Sequence, residues 1–203
     1  MPLSKTRKIS KEQKKEEIVK VACRLFAEKG YYNTTIPDIA EKMGMSVGNL
    51  YNYFRSKEEL AKYIMQYSSR LLGSEIRKIN EENISTREKI HKIVKRFFEI
   101  AQEQPELIEY FLRVFLSNRE VFEEGCEGFL CVSDVVTELM LFLEEGAKKG
   151  DLRQQDFFPA FVTLMGPLGG MVFLQGENVL PKTPLEYSDE LAENIWRALK
   201  SDR

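Results

Sequence analysis

The amino-acid sequence predicts an all-α fold of about nine helices. Apolar residues recur at helical spacing, and Ile18, Ala22 and Leu25 form one such stripe. Ser or Thr followed three residues later by Glu, a pattern that starts helices, occurs at 85–88 and 183–186. Glycine and proline number only 12 and 7, and no stretch shows the sustained alternation of a half-buried strand. Composition and spacing therefore agree on helices.

The first sixty residues contain a succession of short predicted helices. Gly30 ends the first helix, Thr35 caps the second, and Ser46 caps a third that is equally short. Gly44 lies in the tight turn between the second and third helices, where it permits a chain reversal without a side-chain clash. Two short helices joined by such a turn are typical of a helix-turn-helix motif. A capping box at 56–59 then opens a long fourth helix.

The third predicted helix has the side chains of a recognition helix. Such a helix enters the major groove of DNA, so its exposed residues should be small or able to form hydrogen bonds. The residues with these properties are Ser46, Gly48, Asn49, Tyr51, Asn52 and Tyr53. A plain helical hairpin would show the same pattern, which leaves both interpretations open on spacing alone.

Charge is unevenly distributed along the chain. Residues 1–60 contain 12 Lys and Arg against 8 Asp and Glu, whereas residues 61–203 contain 18 against 24. A basic N-terminal part on an acidic body indicates that only this part meets a polyanion. A solvated basic tail accounts for the charge equally well.

A set of residue types at fixed spacing runs through the helix-turn-helix region. It comprises Ala22, Leu25, Phe26, Glu28, Gly30, Tyr31, Thr34, Thr35, Ile36, Ile39, Ala40, Met43, Gly44, Met45, Ser46, Gly48, Leu50, Tyr51, Tyr53, Phe54, Ser56, Lys57 and Leu60. This set resembles the DNA-binding signature of the tetracycline-repressor (TetR) family over about residues 15–62. The resemblance implies a bacterial-type transcription regulator, with a basic arm and DNA-binding domain at 1–56 and a helical effector-binding and dimerisation domain at 57–203.

The resemblance also implies roles for individual residues. Thr35 and Lys57, at the starts of the second and fourth helices, are expected to contact phosphates, which helix N-termini attract. The residues expected nearest the base edges are Ser46, Val47, Gly48 and Asn49, and those expected at the backbone or groove wall are Tyr51 and Tyr53. The implied partner is double-stranded operator DNA, bound by a homodimer at near-palindromic half-sites.

An uncharged segment of 18 residues lies at 157–174. Its length raises the question of a membrane span, which would make the chain a membrane-associated helical protein. Its prolines and glycines, and the lack of a closely flanking basic cluster, favour a buried helix at a subunit interface. By resemblance, this helix and the last one pair with their copies in a four-helix dimer interface. The predicted interface residues are Phe161, Met165, Gly169, Gly170, Phe173, Leu191 and Ile195.

The C-terminal domain is rich in aromatic residues and methionines. Core packing explains each of them singly, but together with the resemblance they predict an apolar cavity for a hydrophobic or aromatic effector. The predicted lining comprises Tyr63, Tyr67, Phe97, Phe111, Phe115, Phe129, Met140 and Met165. The fourth helix runs from Lys57 toward this cavity, so we expect it to transmit effector binding to the DNA-binding domain.

The predicted function is a ligand-responsive repressor that its effector releases from DNA. The alternative is a DNA-binding protein of this fold that has no small-molecule effector and acts through a protein partner. The sequence offers no nucleophile–base pair, phosphate-binding glycine loop or metal motif, so neither an enzyme nor a cofactor is expected. The three cysteines and the charged N-terminus favour a reduced, cytoplasmic protein.

Overall fold

The computed structural model describes residues 10–117 and 132–202, and the side chains within them except those of 114–117. The all-α prediction is confirmed, because this part of the chain contains nine α-helices and no strand. The helices are α1 (Lys11–Lys29), α2 (Ile36–Lys42), α3 (Val47–Tyr51), α4 (Lys57–Asn80), α5 (Thr86–Glu103), α6 (Pro105–Ser117), α7 (Ser133–Lys149), α8 (Phe157–Gly176) and α9 (Ser188–Leu199). A 3₁₀ turn at Pro184–Tyr187 precedes α9.

The chain divides into two compact units, one ending at Ile64 and the other beginning at Met65. Helix α4 is continuous through this division. The domain boundary predicted from the sequence, between residues 56 and 57, lies at the start of α4 and therefore before the division seen in the structure.

The N-terminal unit is built around buried side chains from all four of its helices. Ile18, Ile39, Leu50, Phe54 and Leu60 are at most 1% exposed, which makes them the centre of the core. The predicted end of α1 is present, because Gly30 ends this helix with a φ of 82°. Ser10 and Gln13 make a capping box at the start of α1, which was not predicted from the sequence. The fully buried Thr34 hydroxyl then donates to the carbonyls of Leu25 and Gly30, which fixes the path of the chain into α2.

In the C-terminal unit, α5 packs along α9. Ile90, Val94 and Phe98 are fully buried on α5, and Ala192 and Ile195 are buried on α9. The capping box predicted at 85–88 is present, with Ser85 accepting from the backbone N–H of Glu88 at 3.2 Å. The box predicted at 183–186 also forms, although it opens the 3₁₀ turn rather than an α-helix directly.

Helices α4 and α7 cross at very short range. An added Cβ at the buried Gly73 would lie 2.8 Å from the backbone carbon of Asp134, so only glycine fits between the two backbones here. One turn earlier on α4, the fully buried Ser69 hydroxyl accepts a hydrogen bond of 3.2 Å from the N–H of Val135. Ser69 thereby satisfies a free N–H in the first turn of α7, a role usually taken by a residue of the same helix.

A buried polar cluster lies further along the same pair of helices. The Glu138 side chain of α7 is 6% exposed and accepts from Arg77 Nε at 2.7 Å and from Asn80 Nδ2 at 3.2 Å. Lys89 of α5, which is 4% exposed, donates to the Asn80 carbonyl at the end of α4 at 2.6 Å. Three helices are therefore joined by charge-assisted hydrogen bonds at the C-terminal end of α4.

Replacing Glu138 with alanine should lower the free energy of unfolding by about 1–3 kcal/mol, because Arg77 and Asn80 each lose a hydrogen bond to a buried carboxylate. Urea denaturation followed by circular dichroism measures the loss. The matched control is Glu144→Ala on the same helix, since this 56%-exposed carboxylate pairs with Lys148 at 3.6 Å and should contribute less than about 1 kcal/mol. Equal losses in the two variants would contradict the role given to Glu138.

Helix α8 is long and apolar enough to cross a membrane, and only 22% of its most apolar 18-residue window is buried within the described chain. Phe158, Val162 and Phe173 are 56–65% exposed.

The residues predicted to form the dimer interface differ in how exposed they are in the single chain. Phe161 and Ile195 are buried, Met165, Gly169 and Leu191 are half-buried, and Gly170 and Phe173 are exposed. The assignment of these seven residues to a dimer interface stays a prediction.

Candidate nucleic-acid interface

The short helix α3 presents most of its side chains to solvent. Its N-cap, Ser46, accepts a hydrogen bond from the Asn49 N–H at 3.2 Å, and Leu50 is its buried residue. Val47 and Tyr51 are 37% and 46% exposed, although large apolar or aromatic side chains usually avoid water. Ser46, Gly48 and Asn49 are also exposed. The first turn of α3 is thus free to meet a groove of DNA, with Leu50 holding the helix to the core.

The turn between α2 and α3 has the backbone that the sequence predicts. Gly44 has a φ of 63°, in the left-handed region that favours glycine. Its N–H donates to the Glu41 carbonyl at 2.9 Å, and the Met45 N–H donates to the Ala40 carbonyl at 3.0 Å. These bonds terminate α2 and set the direction in which α3 leaves.

The N-terminus of α2 is closed by a capping box. The Thr35 hydroxyl accepts from the Asp38 N–H at 3.3 Å, and one Asp38 carboxylate oxygen accepts from the Thr35 N–H and hydroxyl, each at 2.7 Å. These bonds from Thr35, aided by Lys29 at 3.7 Å, lower the pKa of Asp38. Thr35 is exposed but already hydrogen-bonded, so a phosphate would have to share its hydroxyl.

Lys57, at the start of α4, is held by the turn that follows α1. Its ammonium donates to the carbonyl of Tyr31 at 2.9 Å and lies 4.4 Å from the centre of the Tyr31 ring. Burial, followed by the negative charge of Glu58, raises the pKa of Tyr31 to about 12. The half-buried Lys57 therefore stabilises this unit. Its predicted phosphate contact would have to use an ammonium N–H that is not bonded to the Tyr31 carbonyl.

An open groove of about 340 Å³ lies beside these residues. It is lined by the first turn of α2, by Tyr51 at the end of α3, and by Arg55 and Lys57 at the start of α4. Arg55 is exposed, and its backbone N–H donates to Glu59 at 2.7 Å, which fixes the chain just before α4. The groove presents the guanidinium of Arg55, the ammonium of Lys57 and the phenol of Tyr51, which are donors that DNA phosphates attract. The carboxylate of Glu58 also lines it and repels phosphate. Arg55 was not predicted from the sequence as a DNA-contact residue, because position 55 is not one of the fixed positions of the signature. Its positive charge near Lys57 was the feature that could have identified it.

The structure places Tyr63 in the N-terminal unit. Its hydroxyl donates to the Glu12 carboxylate of α1 at 2.8 Å, and its ring packs edge-on against Phe54 with 5.2 Å between ring centres. Lys15 lies 4.9 Å from the centre of the same ring. In this structure Tyr63 fastens α1 to α4, whereas the sequence suggested an effector cavity.

Comparison with known proteins identifies the helix-turn-helix unit. The pattern of bacterial regulatory proteins of the tetR family matches residues 18–64, which cover α2, α3, most of α1 and the first two turns of α4. These residues form a helix-turn-helix domain of the tetR family. The TetR resemblance drawn from the sequence is therefore confirmed, and with it a role in DNA-binding transcriptional regulation.

Individual relatives match longer stretches of the chain at lower identity. The HTH-type transcriptional regulator YerO of Bacillus subtilis is 40% identical over 70 residues, which are 34% of this chain and 24% of YerO. The fatty acid metabolism regulator protein of the same organism is 25% identical over 151 residues, covering 71% of this chain and 73% of that protein. The solved structure of the ketosteroid transcriptional regulator KstR2 of Mycobacterium tuberculosis has a TM-score of 0.71 at 18% identity, covering 93% and 96% of the two chains. This last likeness concerns the fold alone.

A small cavity lies between α4, α5, α7 and α8 in the C-terminal unit. Its volume of about 10 Å³ has room for roughly one water molecule. Phe97 and Met165, two of the predicted effector contacts, line it together with Ile76 and Ile93. Glu75 and Arg96 are its charged lining residues.

The other predicted effector contacts lie elsewhere. Phe111 is buried in α6, Tyr67 is half-buried on α4, and Met140 lines a separate surface groove beside the start of α8. Phe115 and Phe129 lie outside the described side chains. The described residues contain no group of three His, Cys, Asp or Glu side chains that could hold a metal ion.

Proposed function

We propose that this protein is a repressor that binds a near-palindromic operator as a homodimer and leaves it when a small apolar effector binds. The observation that carries the DNA-binding part is the exposed first turn of α3, with Ser46, Val47, Gly48 and Asn49 open to solvent on a helix that Leu50 anchors. Two recognition helices related by two-fold symmetry match two half-sites about one helical turn of DNA apart.

The exposed apolar face of α8 supports the dimer. Phe158, Val162 and Phe173 form an exposed apolar stripe of a size that soluble proteins usually cover. Phe173→Glu should therefore yield a monomer whose operator affinity falls at least about tenfold, because a monomer engages one half-site at a time. Light scattering measures the mass, and fluorescence anisotropy with labelled operator measures the affinity. A wild-type monomer at micromolar concentration would rule the dimer out.

The effector part rests on the cavity of the C-terminal unit and on the names of relatives, which refer to fatty acid metabolism and to ketosteroids. Both names concern apolar molecules, and the cavity lining is mostly apolar. A cytoplasmic, DNA-bound regulator that binds such metabolites reversibly fits these observations.

The second candidate is a DNA-binding protein of this fold that responds to a protein partner. The narrowness of the cavity, about 10 Å³, favours it, because a ligand could enter only if helices moved. Selection of bound DNA fragments identifies the operator for either candidate. Titration of an effector with and without operator then separates them, since a ligand that weakens DNA binding must itself bind more weakly to the DNA complex. Equal ligand affinity in both titrations would favour the protein partner.

A further inference from the structure

The cavity between α4, α5, α7 and α8 has a charged wall that sequence reasoning did not anticipate. Arg96 of α5 and Glu75 of α4 both line it and form a direct ion pair, with Nε and Oε2 2.7 Å apart. Their side chains are 29% and 18% exposed, so the pair lies between the apolar interior and the solvent. An otherwise apolar lining that includes one ion pair matches a ligand that has an apolar body and a polar head.

Both partners of this ion pair have alternatives. Arg96 Nη1 also contacts Glu99 at 3.3 Å and Glu103 at 3.2 Å, so its guanidinium is surrounded by three carboxylates. Glu75 also accepts a hydrogen bond from Lys78, one turn further along α4. The bond to Lys78 is the largest cause of the lowered pKa of Glu75, ahead of the bond to Arg96. Glu75 therefore keeps a cationic partner if Arg96 turns to another carboxylate.

We propose that the cavity binds an amphipathic anion, such as a carboxylate with an unbranched alkyl chain, whose head replaces Glu75 on Arg96. The inference rests on the proposed effector response and names its ligand class. The alkyl chain lies among Ile76, Ile93 and Phe97, and widens the cavity as it enters. The number of carboxylates bonded to Arg96 stays at three, because Glu75 turns to Lys78 as the head of the ligand arrives. It also frees α4 from α5 at Glu75, on the helix that begins with Lys57.

An anionic head fits this site better than a neutral or cationic one. A guanidinium binds a carboxylate through two parallel N–H bonds, which an alcohol cannot accept in the same way. A cationic head would have to compete with Arg96 for Glu75, Glu99 or Glu103, and it would bring a second positive charge close to the guanidinium. Ligand charge is therefore the property that the test varies.

Calorimetric titration of the full-length protein with decanoate, 1-decanol and decylammonium, without DNA, tests the proposal. Decanoate should bind at least about tenfold more tightly than decanol, the difference expected for a hydrogen bond to a charged group. Arg96→Gln should remove this preference and leave decanol binding unchanged. Glu75→Gln should tighten decanoate binding several-fold, because Arg96 then lacks its competing partner. Arg197→Gln, a 68%-exposed site on α9, is the matched control and should change neither affinity.

Arg96→Lys provides a second variant if Arg96→Gln fails to fold, since it keeps the charge and loses the planar pair of N–H groups. It should bind decanoate more weakly than wild type while its decanol affinity stays the same. Tighter binding of decanol or decylammonium, or no binding of any probe, would overturn the proposal. If decanoate binds through Arg96 but does not change the affinity for operator, the anion site is supported and release from DNA by the effector is overturned. The proposed site and the proposed function can therefore fail separately.

Discussion

Replacing Gly73 with leucine should lower the free energy of unfolding by more than about 3 kcal/mol, because the side chain has to displace the backbone of α7 at Asp134. Gly73→Ala should cost about 1–3 kcal/mol, since its single added carbon would lie 2.8 Å from a backbone carbon that cannot rotate away. Urea denaturation gives both values. An α-helix normally gains stability when alanine replaces glycine. The expected loss of stability in Gly73→Ala is therefore opposite in sign to the change that helix propensity predicts.

The matched control is Gly176→Ala at the last residue of α8, where an added Cβ would have no heavy atom within 4 Å. It should leave stability unchanged within about 1 kcal/mol or raise it slightly. A Gly73→Ala variant as stable as wild type would show that α4 and α7 can separate at low cost, and that the crossing is not tight in solution.

Removing the charge of Arg55 should weaken binding to every DNA sequence alike. In the proposed dimer the Arg55→Gln substitution occurs twice, so we expect about a 100-fold loss at low salt and a shallower salt dependence, as for lost phosphate contacts. The thermal stability of the variant should stay the same, because the Arg55 side chain is exposed. Anisotropy titrations at several salt concentrations, with operator and with unrelated DNA, measure these effects. Arg153→Gln, an exposed arginine of the C-terminal unit, is the control.

Two further variants separate the roles at this surface. Lys57→Gln should weaken DNA binding and also lower the melting temperature, because the ammonium holds the carbonyl of Tyr31. Asn49→Ala should change the preferred sequence, at a cost of about 1–3 kcal/mol per lost base contact. If Arg55→Gln and Tyr51→Ala together bind operator as tightly as wild type, the groove beside α4 is not the phosphate site.

The sequence was informative where structure is local. Capping boxes at Thr35 and Ser85, and the positive φ of Gly30 and Gly44, depend on residues within a few positions of each other, and all of them form. The motif at 46–57 was likewise enough to place the short helix α3, which is the predicted recognition helix.

The sequence was less informative where residues meet across helices. Tyr63 looked like a cavity residue, but its hydroxyl reaches Glu12, which is 51 positions away in the chain. Arg96 and Glu75 read as ordinary surface charges of two amphipathic helices, and only the packing of α4 on α5 brings them to a shared cavity. Periodicity predicts which face of a helix is buried, whereas the partner of that face depends on the tertiary arrangement.

The tight crossing of α4 and α7 also has a mechanical consequence. Because the backbones touch at Gly73 and Ser69 is bonded to Val135, α4 cannot slide along α7, and pivoting is the motion left to it. A helix rises about 1.5 Å per residue, so Met65, where the C-terminal unit begins, lies about 12 Å from this pivot and Glu75 only about 3 Å from it. A tilt of about five degrees would therefore move Met65 by about 1 Å while barely shifting Glu75, so that this part of α4 acts as a lever with a short input arm and a longer output arm.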